Sequence, residues 1–132
     1  MLFRSADPAA VDGCFGPADG PSPDALIIVP DAMLIQVAPR IAALGLERRV
    51  PVLGPFRDVP KAGGLLSYGP SILAMNRRSA FYIKRILAGA APRDLPAEQP
   101  TEFALTLNLK TAQALGVKLP PQILAIADEV IE

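Results

Sequence analysis

The sequence predicts an α/β fold built around a parallel β-sheet. Residues 25–29 form an apolar run rich in branched side chains that stops at Pro30, which is typical of a strand buried on both faces. A segment with helical periodicity follows, and a second short apolar run over residues 50–53 ends at Gly54. Strand, helix and strand within about 30 residues are typical of a right-handed crossover unit with two parallel strands.

The segment after the first strand is predicted to be an amphipathic helix. Asp31 stands at its amino end, where a side-chain oxygen can accept hydrogen bonds from the free backbone N–H groups of the first turn. Pro39 lies inside the pattern and is expected to kink the helix or to delay its start. The apolar residues at helical spacing are Met33, Leu34, Val37, Ile41 and Leu44.

A third strand is predicted over residues 63–68, just before the clearest helix of the sequence. Residues 69–71 form a turn, and Pro70 is expected to lie in the first turn of that helix. Gly89 is predicted to end the helix. Its apolar stripe, which excludes most of its basic residues, consists of Ile72, Met75, Ser79, Tyr82, Ile83 and Ile86.

The carboxy-terminal part predicts one more strand and two short helices. Residues 90–100 contain three prolines and therefore predict an irregular tether. Residues 103–107 alternate large and small side chains, as a strand does. Asn108 is expected to cap a short helix that ends at Gly116. The two prolines at residues 120–121 precede a last helical turn.

The amino-terminal part is predicted to be rich in loops. Residues 12–24 contain three glycines and three prolines, and they follow at most a short helix from Pro8. Cys14 is the single cysteine, and the sequence has no histidine to activate it. We therefore expect Cys14 to be a small buried or half-buried apolar residue.

Composition narrows the classes of function. Thirteen basic and thirteen acidic residues give no net charge, so binding to nucleic acid is not expected. The absence of histidine excludes Ser-His-Asp and Cys-His catalysis and metal sites built on imidazole. An enzyme, a metal site and a cofactor are thus not expected, and the carboxylates of Asp128 and Glu129 are interpreted as solvated charge.

Sequence signals for targeting are absent. Residues 1–7 contain no long apolar run after a basic start, so no secretion signal is visible. No apolar stretch reaches the roughly 18 residues that a membrane span requires. On these signals alone, the chain is expected to be cytoplasmic if it is the complete product.

A binding site is predicted where the strands end. In open α/β folds, ligands bind beyond the carboxyl ends of parallel strands, because the loops converge there. This rule selects an acid, a ring, a guanidinium, a hydroxyl and a phenol, which could hold the ammonium, carboxylate and side chain of a small zwitterion. The candidate ligand-binding residues are Asp31, Phe56, Arg57, Ser67 and Tyr68.

Each candidate also has a structural interpretation. Asp31 could serve only as a helix cap, and Arg57 could pair with Asp58 or with another surface carboxylate. Tyr68 could be a core ring with its hydroxyl at the rim, and Phe56 could be a packing residue.

Several segments together resemble ABC transporter substrate-binding proteins of the branch that includes tryptophan-binding members. The resemblance runs from about Pro23 to the last residue. It is carried by residues 63–70 (GGLLSYGP), 77–80 (RRSA), 86–89 (ILAG), 94–103 (DLPAEQPTEF), 108–112 (NLKTA), 114–116 (ALG) and 127–132 (ADEVIE).

The resemblance implies a Rossmann-like lobe of the periplasmic binding protein-like I type, which is incomplete here. In that family two α/β lobes are joined by a hinge, and a small solute binds in the cleft between them. Residues 1–23 would be a degenerate start of the second lobe, residues 24–132 its last part, and residues 68–89 the segment that crosses to the first lobe. The helix over residues 71–88 would then pack on the first lobe.

The resemblance also implies partners and a location. We expect a small-molecule solute such as an amino acid, an ABC transporter permease, and a periplasmic or cell-envelope location. The alternative is a truncated, non-binding fragment or interaction module that associates with itself or with another protein through its exposed helix over residues 71–88.

Overall fold

A computed structural model describes residues 8–16 and 23–132 of the chain, so residues 1–7 and most of the predicted amino-terminal loop lie outside it. The strands are β1 (Leu26–Ile27), β2 (Val52–Gly54), β3 (Leu66–Pro70), β4 (Phe103–Asn108) and β5 (Glu129–Ile131). The helices are α1 (Ala32–Gln36), α2 (Ala38–Glu47), α3 (Asp58–Lys61), α4 (Ile72–Leu87), α5 (Leu109–Leu115) and α6 (Pro121–Ala125). Two 3-10 helices cover Pro8–Phe15 and Pro92–Asp94.

The five strands form one mixed sheet in the order β1-β2-β3-β4-β5. β1, β2 and β3 run parallel, as predicted, and β4 runs parallel to β5. The predicted α/β fold is confirmed, but β3 and β4 are antiparallel. The chain leaves the sheet at Ser71 and returns at the same edge, since the Ser71 N–H donates to the carbonyl oxygen of Glu102 at 2.9 Å. Two strands that meet the same edge in this way must run in opposite directions.

The predicted helix between β1 and β2 divides into α1 and α2. The Oδ1 atom of Asp31 accepts hydrogen bonds from the N–H groups of Met33 (2.9 Å) and Leu34 (3.2 Å), so the predicted cap is confirmed. The break falls at Val37, and Pro39 is the second residue of α2. Pro39 has no N–H to donate, and a new helix begins where that donor is not needed.

Among the predictions for the ends of α4 and α5, the one for the start of α4 is wrong. Pro70 is the last residue of β3 and does not lie in the first turn of α4; Ser71 is the cap, and its Oγ accepts from the Ala74 N–H at 3.3 Å. Asn108 caps α5, and Gly116 ends that helix in the left-handed conformation, both as predicted.

The prediction that the first strand is buried on both faces is wrong. Ile28 is only 2% exposed, whereas Ile27 and Val29 are 72% and 51% exposed. α2 and the 3-10 helix Pro8–Phe15 supply residues to the core around Ile28. Within residues 8–16 and 23–132, no comparable layer covers Ile27 and Val29, which point to the opposite face of the strand.

The core depends on the amino-terminal 3-10 helix more than the sequence suggested. The helix is short, as expected, yet Val11 and Phe15 are among the most buried residues that the structure describes. Cys14 is half-buried against the same core, which confirms its predicted role, and burial raises the pKa of its thiol. A segment with loop composition thus completes the hydrophobic core.

The long helix α4 stands apart from the core. None of its residues is buried, and its exposed large apolar side chains include Ile72, Leu73, Ile83 and Leu87. Arg78 and Tyr82 of this helix contact the tether, residues 90–100, which crosses beside it. Among the described residues, no helix is both long and apolar enough to cross a lipid bilayer.

Two polar contacts join the tether to α4. The Arg78 guanidinium donates from Nε to Oε2 of Glu98 at 2.6 Å and from Nη2 to Oε1, and the Tyr82 hydroxyl donates to the carbonyl oxygen of Pro96 at 2.9 Å. These hydrogen bonds from Arg78 hold the pKa of the Glu98 carboxyl below its ordinary value of 4.5. An exposed ion pair and a hydrogen bond thus attach the tether to α4.

Acid is expected to detach the tether from α4. Because the folded-state pKa of Glu98 is lowered, the pair stabilises the contact fully above about pH 4.5 and loses that effect as the pH falls through the lower value. The ring resonances of Tyr82 should therefore shift in an NMR titration as the pH falls below about 4.5. Glu98→Gln should abolish this transition, and Glu47→Gln on the surface of α2 should leave it unchanged. A transition that persists in Glu98→Gln would contradict the assignment.

Candidate functional site

The candidate site lies at the edge of the sheet where β1, β2 and β3 end. Parallel strands bring their carboxyl ends to one edge. Because β4 is antiparallel to β3, β4 and β5 begin at this same edge. The register aligns Ser67 with Thr106 and Thr106 with Glu129. Three strand ends and two strand starts therefore meet here, and the charged start of β5 joins the predicted site.

The loop after β2 lies directly against the end of β3. A Cβ atom on Gly69 would overlap the carbonyl oxygen of Pro55 and would lie 2.9 Å from its carbonyl carbon. Only glycine permits so close an approach between the two backbones. This contact holds Phe56 and Arg57, the next two residues of the loop, beside the end of β3.

Ser67 and Tyr68 point to opposite faces of β3, as successive strand residues do. Ser67 is 1% exposed, so it reaches a solute only if its surroundings open. Tyr68 is 63% exposed and its ring stacks on that of Phe103, with centroids 5.6 Å apart. The interpretation of Tyr68 as a core ring is therefore wrong, and its face is accessible to a ligand.

Asp31 lies in the loop after β1, and β1 itself is two strand spacings, about 10 Å, from β3. Its carboxylate accepts the two N–H groups at the start of α1. The helix-cap interpretation is confirmed, and ligand binding by the same carboxylate stays a prediction. Phe56 and Arg57 thus share the loop after β2, Tyr68 lies in β3, and Asp31 lies farther along the same edge, after β1.

A cluster of three charged side chains occupies this edge. The Oε1 atom of Glu129 lies 3.3 Å from Nζ of Lys61, and its Oε2 atom lies 3.9 Å from Nε of Arg57. Arg57 therefore pairs with a surface carboxylate, as the structural interpretation expected, and that carboxylate is Glu129 rather than Asp58. We call Arg57, Lys61 and Glu129 the charged cluster.

Sequence reasoning missed two members of the charged cluster. Glu129 was assigned to solvated charge because β5 is a three-residue strand between charged residues, which gives little strand signal. Asp128 was misinterpreted as well: its Oδ2 accepts from the Leu105 N–H at 2.8 Å, and its own N–H donates to the Leu105 carbonyl oxygen at 2.9 Å. These two hydrogen bonds hold the start of β5 against β4 and so place Glu129 at the site.

A buried network holds α3, the helix that follows Arg57. The Asn108 side chain donates from Nδ2 to the carbonyl oxygen of Pro60 at 2.8 Å, and its Oδ1 accepts from the Thr111 N–H at 2.9 Å. The Thr111 hydroxyl donates to the carbonyl oxygen of Gly63 at 2.9 Å. β4 and α5 are thereby bonded to the carboxyl end of α3, which carries Lys61, and to the turn that follows it.

The arrangement suits the recognition of a small polar solute. An exposed aromatic ring, a guanidinium and an ammonium offer stacking and charge-assisted hydrogen bonds. In the part of the chain that the structure describes, no group of three or more histidine, cysteine, aspartate or glutamate side chains could hold a metal ion. The five-stranded sheet with its flanking helices is an α/β fold that matches periplasmic binding protein-like structures.

The chain belongs to the ABC transporter substrate-binding protein family, because a model of that family matches residues 21–131. The family description names binding of a substrate for transport. No match to the chain is found among curated proteins. The predicted resemblance is confirmed, and it places the sequence segments quoted above within one family.

Three solved structures share the fold. An ABC domain in complex with L-Trp from Streptococcus pneumonia is 22% identical with a TM-score of 0.80, and the chain covers 41% of it. A conserved domain protein from Vibrio cholerae O1 biovar El Tor is 21% identical with a TM-score of 0.77 and 38% coverage. A substrate-binding protein with adhesive properties from Clostridium difficile, in a ligand-free open structure, is 18% identical with a TM-score of 0.62 and 40% coverage.

The chain aligns over 93–94% of its own length with these structures. It nevertheless spans only about 40% of their length. The remaining part of such a protein has no counterpart in these 132 residues.

Proposed function

We propose that this chain is part of the solute-binding component of an ABC-type uptake transporter, and that it supplies one wall of a cleft for a small solute such as an amino acid. The observation that carries the proposal is the exposed ring of Tyr68 on β3, at the edge where β1, β2 and β3 end and where the loop with Arg57 lies. Family membership and the L-Trp complex of a structural neighbour support it.

Each residue at this edge would contact a different part of the solute. The faces of Tyr68 and Phe56 would pack against an apolar or aromatic side chain, and Arg57 would bind a carboxylate. Asp31 would attract an ammonium group. Ser67 would contribute only after local opening, because it is 1% exposed.

The partners and the location belong to the same proposal. A solute-binding component delivers its solute to a permease, so an ABC transporter permease is the protein partner that we propose. The corresponding location is the periplasm or the cell envelope. No nucleic acid is proposed as a partner, because the chain carries no net charge.

Thermal unfolding with a panel of amino acids tests the proposal on the chain itself. A ligand that binds the folded state at 100 times its Kd adds about 2.7 kcal/mol to the free energy of unfolding and raises the Tm. We expect the Tm to rise with at least one amino acid. A cooperative transition that is indifferent to every solute would contradict binding by this chain alone.

Replacing Tyr68 with alanine is expected to weaken solute binding at least tenfold, which is about 1.4 kcal/mol. The physical reason is the loss of an exposed aromatic face at the centre of the edge. Calorimetric titration of a two-lobed version of the protein measures the effect, and Tyr68→Phe, which keeps the ring, is the matched control. An unchanged affinity in Tyr68→Ala would remove Tyr68 from the site.

The second candidate function is an interaction module that associates through the helix over residues 71–88. The observation that favours it is α4, which exposes Ile83 and Leu87 by 56% and 83% although both are apolar. Sedimentation velocity between 5 and 500 µM protein separates the candidates. Reversible self-association without any effect of amino acids on the Tm would favour the interaction module.

A further inference from the structure

We propose that Glu129 is a specificity-determining residue of the candidate site, which acts with Lys61 to present Arg57 to the free carboxylate of a solute. The inference rests on the proposed function and names its solute class: small molecules that carry a single free carboxylate. Glu129 would oppose a second negative group on the same solute. The geometry and the charge of the cluster support it independently.

Charge gives the first argument. Two basic side chains share one carboxylate, so the charged cluster carries one uncompensated positive charge. Among the described residues, no other carboxylate lies within 4.0 Å of Arg57 or Lys61. Asp128, the neighbour of Glu129, accepts a hydrogen bond from the backbone of Leu105 instead. One anionic group of a ligand would make the cluster neutral.

Distance and exposure give the second argument. Glu129 lies close to Lys61, at 3.3 Å, but its distance from Nε of Arg57 is 3.9 Å, which is longer than a hydrogen bond. Glu129 is therefore held mainly by Lys61 and attracts Arg57 from one side. The Arg57 side chain is 64% exposed. Its two terminal nitrogens, which are away from the Nε contact, can form the paired hydrogen bonds that a carboxylate accepts.

Position gives the third argument. Arg57 belongs to the loop that lies against Gly69 at the end of β3, and Glu129 is aligned through Thr106 with Ser67 of that strand. Residues paired across strands point to the same face, so Glu129 lies on the face of Ser67, and the ring of Tyr68 lies on the opposite face of the same edge. A carboxylate bound by Arg57 would therefore lie at the edge of the sheet where β1, β2 and β3 end.

The first arm of the test needs no solute and uses acetate as the probe. The ¹H–¹⁵N resonance of the Arg57 Nε–H group should shift saturably with acetate and should not shift with acetamide. Glu129→Gln should lower the acetate concentration at half-saturation at least threefold, because it removes a competing carboxylate. Lys118→Gln, at an exposed position outside the cluster, should leave this concentration unchanged.

The second arm compares an amino acid that raises the Tm with its carboxamide. Glu129→Gln should raise the ratio of their affinities at least threefold, and Arg57→Gln should lower it at least tenfold. Equal changes for both ligands in Glu129→Gln would mean a structural role only and would overturn the inference. So would an Arg57 resonance that is indifferent to acetate. If acetate binds as expected but no amino acid does, the proposed function fails and the anion site stands.

Discussion

Replacing Phe15 with alanine is expected to lower the free energy of unfolding by about 3–5 kcal/mol. The Phe15 ring is fully buried and belongs to the core cluster that also contains Val11, Ile41 and Val52. Truncation removes the burial of an entire aromatic side chain and leaves a cavity that the surrounding helices cannot close completely. Since domains of this size are stable by about 5–15 kcal/mol, the loss would be a large part of the total.

Urea denaturation followed by circular dichroism measures this change in the unfolding free energy. Phe103→Ala is the matched control, because Phe103 is 48% exposed, and we expect it to cost about 1 kcal/mol through its contact with Tyr68. The experiment also tests whether the amino-terminal 3-10 helix is part of the folded unit. If Phe15→Ala costs no more than Phe103→Ala, the segment Pro8–Phe15 does not complete the core.

Replacing Asn108 with alanine is expected to cost about 2–4 kcal/mol. The side chain caps α5, which is worth about 1 kcal/mol, and it satisfies the carbonyl oxygen of Pro60, whose loss of a partner costs about 1–3 kcal/mol. Asn108 is 6% exposed, so water does not readily replace either bond. The same denaturation experiment measures the effect, and Asn76→Ala on the exposed surface of α4 should change stability by less than about 0.5 kcal/mol.

Asn108→Asp separates the two roles of this side chain. An aspartate keeps the acceptor that caps α5 but places a second acceptor against the Pro60 carbonyl oxygen. The variant should therefore be destabilised at pH 7, and part of the loss should be recovered in acid, because a protonated carboxyl can donate. If the difference in unfolding free energy between this variant and the natural chain does not change with pH, the result would argue against the bond to Pro60.

The Asn108 network also connects stability to the candidate site. Pro60 is the residue before Lys61, so loosening its carbonyl contact would release the end of α3 from β4. We expect Asn108→Ala to weaken acetate binding at Arg57 as well as to destabilise the fold. Such coupling is expected when a buried polar group holds a surface loop in one conformation.

Local signals in the sequence predicted most of the elements. Caps and stops act within one turn of chain, so Asp31, Asn108 and Gly116 could be assigned correctly from their immediate neighbours. The short strands β1 and β2 were found from apolar runs. The three loops of the candidate site were predicted by the rule that ligands bind where parallel strands end.

Other features required contacts between distant segments. The exposed Ile27 and the buried Phe15 depend on which segment covers which face of the sheet, and composition does not contain that information. The strand β5 was missed because it is stabilised by pairing with β4 rather than by its own residues. Because the carboxylate of Glu129 was interpreted as solvated charge, this residue, which pairs with Arg57 and Lys61, was not among the predicted site residues.

The sequence by itself determined the family, the α/β class, the caps and breaks of the helices, and the loops of the candidate site. Only the tertiary structure decided that Ser67 is buried and Tyr68 exposed, that β4 runs against β3, and that Glu129 lies at the site. The reason is physical. Signals for caps and turns act over three or four residues, whereas burial and charge pairing depend on segments such as Asn108 and Pro60, 48 positions apart, that only the folded chain brings together.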